Sequence, residues 1–249
     1  MFTSDALFDG KLIIRQEKGG YRFSLDAVLL AELTRVKPCD RVVDLGTGCG
    51  VILLILAFRK LGKDLVGLEI QPELATLAKK NVDENAFADR IRIDEMDFRN
   101  VPDHLPAESF QLVVSNPPYR KLNTGRINPH GQRAVARHEV TASVADVFEA
   151  GKHLLPHGGR LAIIYPATRL DTLMITAHRH GFSPKELTLI HSDTSGSARL
   201  VHMECRKGGG EELRIAPPLF IYREDGTYTE AMQAMYRDQG AQEQENGRR

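Results

Sequence analysis

Arg41-Val42-Val43-Asp44-Leu45-Gly46-Thr47-Gly48-Cys49-Gly50 joins a short apolar run to a glycine-rich turn, and an unbroken apolar stretch follows at once from Val51 to Phe58. A strand that passes through closely spaced glycines into a helix lets the backbone turn tightly and approach a ligand seated over the helix N-terminus. The spacing is G-x-G-x-G, which departs from the dinucleotide fingerprint G-x-G-x-x-G, and no G-K-[ST] follows to make a phosphate-cradling loop. Gly46, Gly48 and Gly50, with Asp44 at the strand end, are the first candidate ligand-binding residues.

Working outward, strands expected over 41–44, 64–70, 90–94, 110–115 and 160–165 alternate with or precede helices over 51–60, 72–84, 142–155 and 168–180. That alternation is the signature of βαβ units and a mostly parallel sheet. Residues 185–191 and 198–206 are joined by a Ser/Asp/Gly-rich loop with no helix between them, so they are expected as an antiparallel hairpin. An extended segment over 213–222 and a short helix over 229–236 follow, and the polar residues 238–249 are expected to be disordered. Before the core, 11–15 and 21–23 flank Lys18-Gly19-Gly20 as an expected hairpin, and a helix is expected from Ser24 to about Val36. The division is then an N-terminal hairpin and helix (1–37), a core domain (38–236) and a tail (237–249).

Lysine plus arginine and aspartate plus glutamate each number 33, so the formal charge is zero and a uniformly basic nucleic-acid coat is excluded. No apolar run approaches the ~20 residues that span a bilayer, and Asp5 and Asp9 stand where a signal peptide carries positive charge, so a cytoplasmic location is expected. The three cysteines lack C-x-x-C spacing and no H-E-x-x-H occurs, so no metal site is expected.

Glu69 closes the second core strand about 20 residues beyond the glycine loop, where a carboxylate can accept hydrogen bonds from ribose hydroxyls. This suits NAD and an adenosine-containing methyl donor equally. Asp97 and Phe98 follow the third strand and offer an acceptor for an exocyclic amine and an aromatic face for a purine.

Ser115-Asn116-Pro117-Pro118-Tyr119 stands at the carboxyl end of the fourth strand, where open α/β sheets bind ligands. Two successive prolines hold Asn116 extended and leave the Asn116 and Pro117 carbonyls available as acceptors. The Asn116 amide oxygen accepts from an NH₂ while Tyr119 stacks on its plane, a match for a conjugated planar amine. Accepting both amine protons favours a pyramidal nitrogen whose lone pair is aimed for in-line attack on a methyl group. Adenine and the glutamine side-chain amide both satisfy that description. Arg120, Lys121, Arg126, Arg133 and Arg137 follow with no acid among residues 117–137, a locally basic loop suited to phosphates, and Arg199 is a further candidate phosphate contact.

On these residues the chain resembles class I S-adenosylmethionine-dependent methyltransferases and, more narrowly, the bacterial tRNA1(Val) adenine-N6 methyltransferases that act on the adenine just 3′ of the anticodon. The likeness takes in Tyr21 to Ala27, Asp44 to Gly50, Glu69, Asp97, Asn116 to Tyr119, Ala136 to Glu139, Ala198 to Leu200 and Leu219 to Glu230. The resemblance implies a Rossmann-like seven-stranded α/β sheet with its last strand antiparallel and helices on both faces. It also implies S-adenosylmethionine as cofactor, tRNA as partner through its anticodon loop, and donor contacts from Asp44, Gly46, Glu69, Asp97 and Asn116. Neither a metal, a membrane nor an obligate protein partner is implied.

Three other readings compete. Release-factor glutamine methyltransferases share the Asn-Pro-Pro-Tyr chemistry, but the ~40 residues ahead of the glycine loop are too few for their helical N-terminal domain. A non-catalytic RNA-binding scaffold of the same fold is opposed by the intact Asn116 motif. An NAD-dependent oxidoreductase is opposed by the glycine spacing and the terminal hairpin.

Overall fold

A computed structural model describes residues 2–17, 25–118 and 142–238. The chain opens with β1 (Phe2–Leu7) and β2 (Leu12–Glu17), paired antiparallel from Phe2↔Glu17 to Leu7↔Leu12. The expected hairpin of 11–15 with 21–23 has its turn and second strand outside the described residues; residues 12–15 belong to β2, whose strand partner among the described residues is β1. The turn from β1 to β2 is Phe8-Asp9-Gly10, all three at positive φ, and Asp-Gly at a tight hairpin corner is the favoured chemistry for it. Phe8 is buried in this turn, stacked on Phe58 with ring centroids 4.5 Å apart and capped by the Arg59 guanidinium.

The elements that follow are α1 (Leu25–Leu33), β3 (Arg41–Leu45), α2 (Val51–Phe58), β4 (Asp64–Glu69), α3 (Pro72–Glu84), β5 (Ile91–Glu95), α4 (Val101–His104) and β6 (Leu112–Ser115). After the undescribed stretch come α5 (Val144–Leu154), β7 (Arg160–Pro166), α6 (Leu170–Arg179), β8 (Phe182–His191), β9 (Leu200–Lys207), β10 (Arg214–Ile215), β11 (Leu219–Phe220) and α7 (Glu230–Tyr236). Among the described residues the main sheet runs β10-β8-β9-β7-β6-β3-β4-β5, with β11 also on β8. Only β9 is antiparallel to its neighbours. The expected seven strands are thus β3 to β9, and the sheet is nine-stranded because the 213–222 segment adds β10 and β11. Pro217 and Pro218 lack the N–H a ladder needs, so that segment pairs with β8 in two short pieces instead of one.

Alternation along the strands divides the core into two layers. Val42, Leu65, Leu112, Val114, Ala162 and Ile164 pack with α1, α2, α3, α7 and the hairpin on one face. Val43, Val66, Leu68, Val113, Leu161 and Ile163 pack with α4, α5 and α6 on the other. By the same alternation Asp44 and Glu69 share the face of α2, whose residues 51–57 are all buried. The hairpin docks on that face through two asparagines. Asn81 Oδ1 accepts from Arg15 N–H (2.9 Å) and Asn85 Oδ1 from Ile13 N–H (3.0 Å), while their amide NH₂ groups donate to the carbonyls of the same two residues. Four residues along a helix advance about 6 Å and two along a strand about 6.6 Å, so an i,i+4 asparagine pair matches the bonding repeat of a strand edge.

His202 on β9 is buried against Thr34, whose Oγ lies 3.2 Å from Nε2, and burial pushes its pKa down to about 4 despite the opposing influence of Glu186. The unfolded chain therefore binds one more proton than the native state from about pH 6.5 down to about 4, and stability falls with pH across that window. Denaturant unfolding at pH 6.5 and 5 should show a loss of about 2 kcal/mol that His202→Asn removes. An equal loss in both proteins would contradict this account.

Candidate active site

The turn after β3 is built by glycines in the left-handed region, with φ of +78° at Gly46, +59° at Gly48 and +86° at Gly50, which other residues occupy only at a cost. Gly46 and Thr47 N–H both donate to the Leu68 carbonyl (2.9 and 3.0 Å), folding the turn over the end of β4. A methyl group added at Gly46 would stand in open space, whereas one at Gly50 would meet Ala78 at 3.5 Å. Gly46 thus leaves room for a ligand and Gly50 closes the α2–α3 packing. Gly67 on β4 serves the same turn from below: a methyl there would lie 2.8 Å from both Thr47 Cγ2 and Ile93 Cδ1.

Two carboxylates flank the turn. Asp44 is fully buried; Oδ2 accepts from Thr47 Oγ (2.7 Å), and Oδ1 has no partner among the described residues. Burial pushes its pKa up to about 7, the Thr47 hydrogen bond opposes the rise and the Glu69 charge adds to it. Glu69 is 4% exposed and grips the turn, with Oε2 accepting from Gly48 N–H (2.9 Å) and Oε1 from Gln71 N–H (3.0 Å). Each carboxylate oxygen has two lone pairs, so acceptor capacity remains. Sequence reasoning passed over Thr47, recognisable only as a small hydroxyl between glycines, and Asn81, which donates to the Cys49 carbonyl (2.9 Å) and carries no sequence signal.

Strand register brings the second half of the site alongside. Asp44 pairs with Gly67 on one side and with Val114 on the other, so Glu69 and Asn116 each stand two residues past its level. The Ser115 hydroxyl donates to the Leu45 carbonyl (2.8 Å) and ties the end of β6 to the glycine turn. Asn116 is half-buried, Pro117 buried and Pro118 exposed. Tyr119, Arg120, Lys121, Arg126, Arg133 and Arg137 lie outside the described residues. Asp97, beyond β5, is engaged by Arg99: it caps a 3₁₀ turn by accepting from Arg99 N–H (2.9 Å), and Arg99 Nε reaches both of its oxygens at 2.8 and 3.0 Å. Phe98 packs partly against the α4–α6 layer. Arg199 is exposed just ahead of β9. Among the described residues no group of three or more metal-ligating side chains converges, and no helix is long and apolar enough to cross a membrane.

The family model of the methyltransferase small domain matches residues 25–172, which span the glycine turn, both carboxylates and Asn116. The chain belongs to this family. Within it, the chain is 33% identical over 177 residues to a tRNA1(Val) (adenine(37)-N6)-methyltransferase of Porphyromonas gingivalis, covering 69% of each. It is 25% identical over 230 residues to the enzyme of the same name in Dyadobacter fermentans, covering 90% of this chain and 93% of that one. A crystal structure described as a predicted O-methyltransferase, Atu636 from Agrobacterium tumefaciens, superposes with a TM-score of 0.69 at 24% identity over 85% of this chain and 95% of that one. At that identity the last comparison speaks for the fold alone, an α/β architecture that the two chains share.

Gly67→Ala should displace Thr47 and with it the partner of Asp44. The expected outcome is a loss of roughly 1–3 kcal/mol of unfolding free energy, read by chemical denaturation. Unchanged stability would mean that β4 and the turn separate freely.

Proposed function

We propose that the protein transfers a methyl group from S-adenosylmethionine to the exocyclic N6 amine of an unpaired adenine in tRNA, in the cytoplasm. Adenine 37 of tRNA1(Val) is the position named for its relatives. The observation that carries the reading is the register of β3, β4 and β6, which sets Glu69 and Asn116 at one level of the carboxyl edge, beside the glycine turn and two residues beyond the buried Asp44.

The residues present fit such a donor. Gly46 leaves open space over the turn, Glu69 retains acceptor capacity for ribose hydroxyls, and the unpartnered Asp44 Oδ1 suits the cationic amino-acid end. Bound there, the donor supplies a methyl group on a sulfonium, already activated for displacement. Everything else falls to the chain. The Asn116 amide oxygen accepts one N6 proton and the Pro117 carbonyl the other, so the amine turns its lone pair toward the methyl, and Tyr119 stacks on the base. No strong base is required, because the proton lost after transfer is acidic once the nitrogen is alkylated. We assign Asp97 and Phe98 to the donor's adenine, with Arg99 yielding one carboxylate lone pair. Arg120, Lys121, Arg126, Arg133, Arg137 and Arg199 are assigned to tRNA phosphates, and an anticodon-loop base, already unpaired, is drawn out at little cost.

Methyl-labelled donor offered separately with unmodified tRNA and with a release factor, followed by nucleoside and peptide mass spectrometry, tests the reading. N6-methyladenosine in tRNA is expected; label on a glutamine would overturn the substrate. Asn116→Ala should lower kcat by at least roughly 10²-fold with folding largely spared, and full turnover in that variant would remove Asn116 from the mechanism. Because only the charged form of Asp44 favours a cation, donor affinity should fall as pH drops below about 7, with proton release on binding. Calorimetry in buffers of different ionisation enthalpy should find that release lost in Asp44→Asn.

A further inference from the structure

Beyond β11 the chain makes a tight turn whose function the reaction does not absorb. Tyr222 and Tyr228 face each other across an isolated antiparallel bridge, with Arg223 N–H donating to the Thr227 carbonyl between them. Their rings stack with centroids 5.3 Å apart and 15° between planes, and Tyr228 stacks in turn on Tyr236 of α7 at 5.7 Å and 8°. Three nearly parallel phenol rings therefore form a ladder. Its inner end, Tyr236, is half-buried, while Tyr222 and Tyr228 are 38% and 36% exposed, unusual for large aromatic rings in a chain whose other described aromatics are mostly packed.

The placement of the ladder gives it meaning. β11 is parallel to β8 and pairs at Ile190 and His191, so Tyr222 emerges at the carboxyl edge of the sheet, the edge that carries Asn116. Between the two stand the end of β7 and the start of β9, where Arg199 is exposed. From β6 to β11 the sheet steps across β7, β9 and β8, four strand spacings of about 4.8 Å each. Arg223 adjoins the outer ring and is exposed. Of the nearby acids, Asp225 holds the turn by accepting from Thr227 N–H and Oγ, and Asp193 does the same for Ser195, leaving Glu224 and Glu230 as the carboxylates without a partner among the described residues.

We propose that Tyr222 and Tyr228, flanked by Arg223 and Arg199, form a stacking platform for an unpaired nucleotide of the same RNA whose adenine enters the Asn116 site. The inference rests on the tRNA reading and extends it to a second point of contact. Flat aromatic faces beside cations on one rim are what single-stranded nucleic acid binds, because every base offers a π-face and every linkage a phosphate. A rigid ladder suits the task, since Tyr236 and Tyr228 fix the outer ring before the base arrives.

The test uses the full chain and a fluorescein-labelled, unmodified anticodon stem-loop, with a fully paired RNA duplex as control. Tyr222→Ala and Tyr228→Ala should each weaken stem-loop binding about tenfold or more and raise the KM for tRNA in step. Affinity for the duplex, donor affinity and kcat at saturating tRNA should stay unchanged, and Tyr222→Phe should bind as the unaltered protein does. Tyr222→Leu keeps apolar bulk on Tyr228 but removes the flat face; loss of binding in a variant that melts normally separates stacking from folding. Folded alanine and leucine variants with unaltered Kd and KM would overturn the platform, as would failure of the unaltered protein to bind the stem-loop. Tyrosine-dependent binding of the stem-loop without methyl transfer would sustain the platform and sink the tRNA-methylation reading instead.

Discussion

The site depends on one carboxylate that holds backbone. Glu69 accepts the Gly48 N–H from the turn and the Gln71 N–H from the entry to α3, so a single side chain fixes two loops that would otherwise expose unpaired donors. The turn's left-handed glycines make its shape attainable, and Glu69 makes it persistent. With the turn in place Thr47 reaches Asp44, and Asp44 is sealed from water with one oxygen to spare. A buried acid with an unused oxygen is an unfavourable arrangement for an isolated protein and a favourable one for a protein that receives a cation.

Most of the sheet was legible because its strands are short apolar runs bounded by charge or glycine, and its helices carry clear starts such as Pro72 at the head of α3. Register was not legible from any one strand, yet it is what places Asn116 beside Asp44. The β1–β2 hairpin went unread because its corner contains Phe8, whose burial against Phe58 and Arg59 is a tertiary fact. The split between β10 and β11 was written in Pro217-Pro218, but two-residue strands exist only by courtesy of β8. Within the site the glycines, Glu69 and Asn116 follow from type and spacing. Thr47, Ser115 and Asn81 act on backbone or buried atoms across the fold, and no local pattern announces them.

Zero net charge conceals a division of sign across the carboxyl edge. On the proposed reading, the acids Asp44 and Glu69 are set below the surface where a positively charged donor is held, while Arg199 and Arg223 stand outside where phosphates pass. A long-range field would draw donor and RNA to the same place; burial of one sign and exposure of the other lets each be attracted at its own depth. The acids act through a low dielectric and short contacts, the arginines through screened solvent, so salt should bear on the second class of contact more than on the first.

The asparagine pair on α3 has a consequence for the molecule's dealings with its own copies. β2 would otherwise present open N–H and C=O groups along one side, the feature through which strands recruit other strands. Asn81 and Asn85 occupy those groups with side-chain amides, so a helix face stands in for a neighbouring strand without extending the sheet. That edge of β2 is thereby closed to a further strand at Ile13 and Arg15. The same Asn81 also holds the Cys49 carbonyl, so the residue that covers the β2 edge is in direct mechanical contact with the glycine turn.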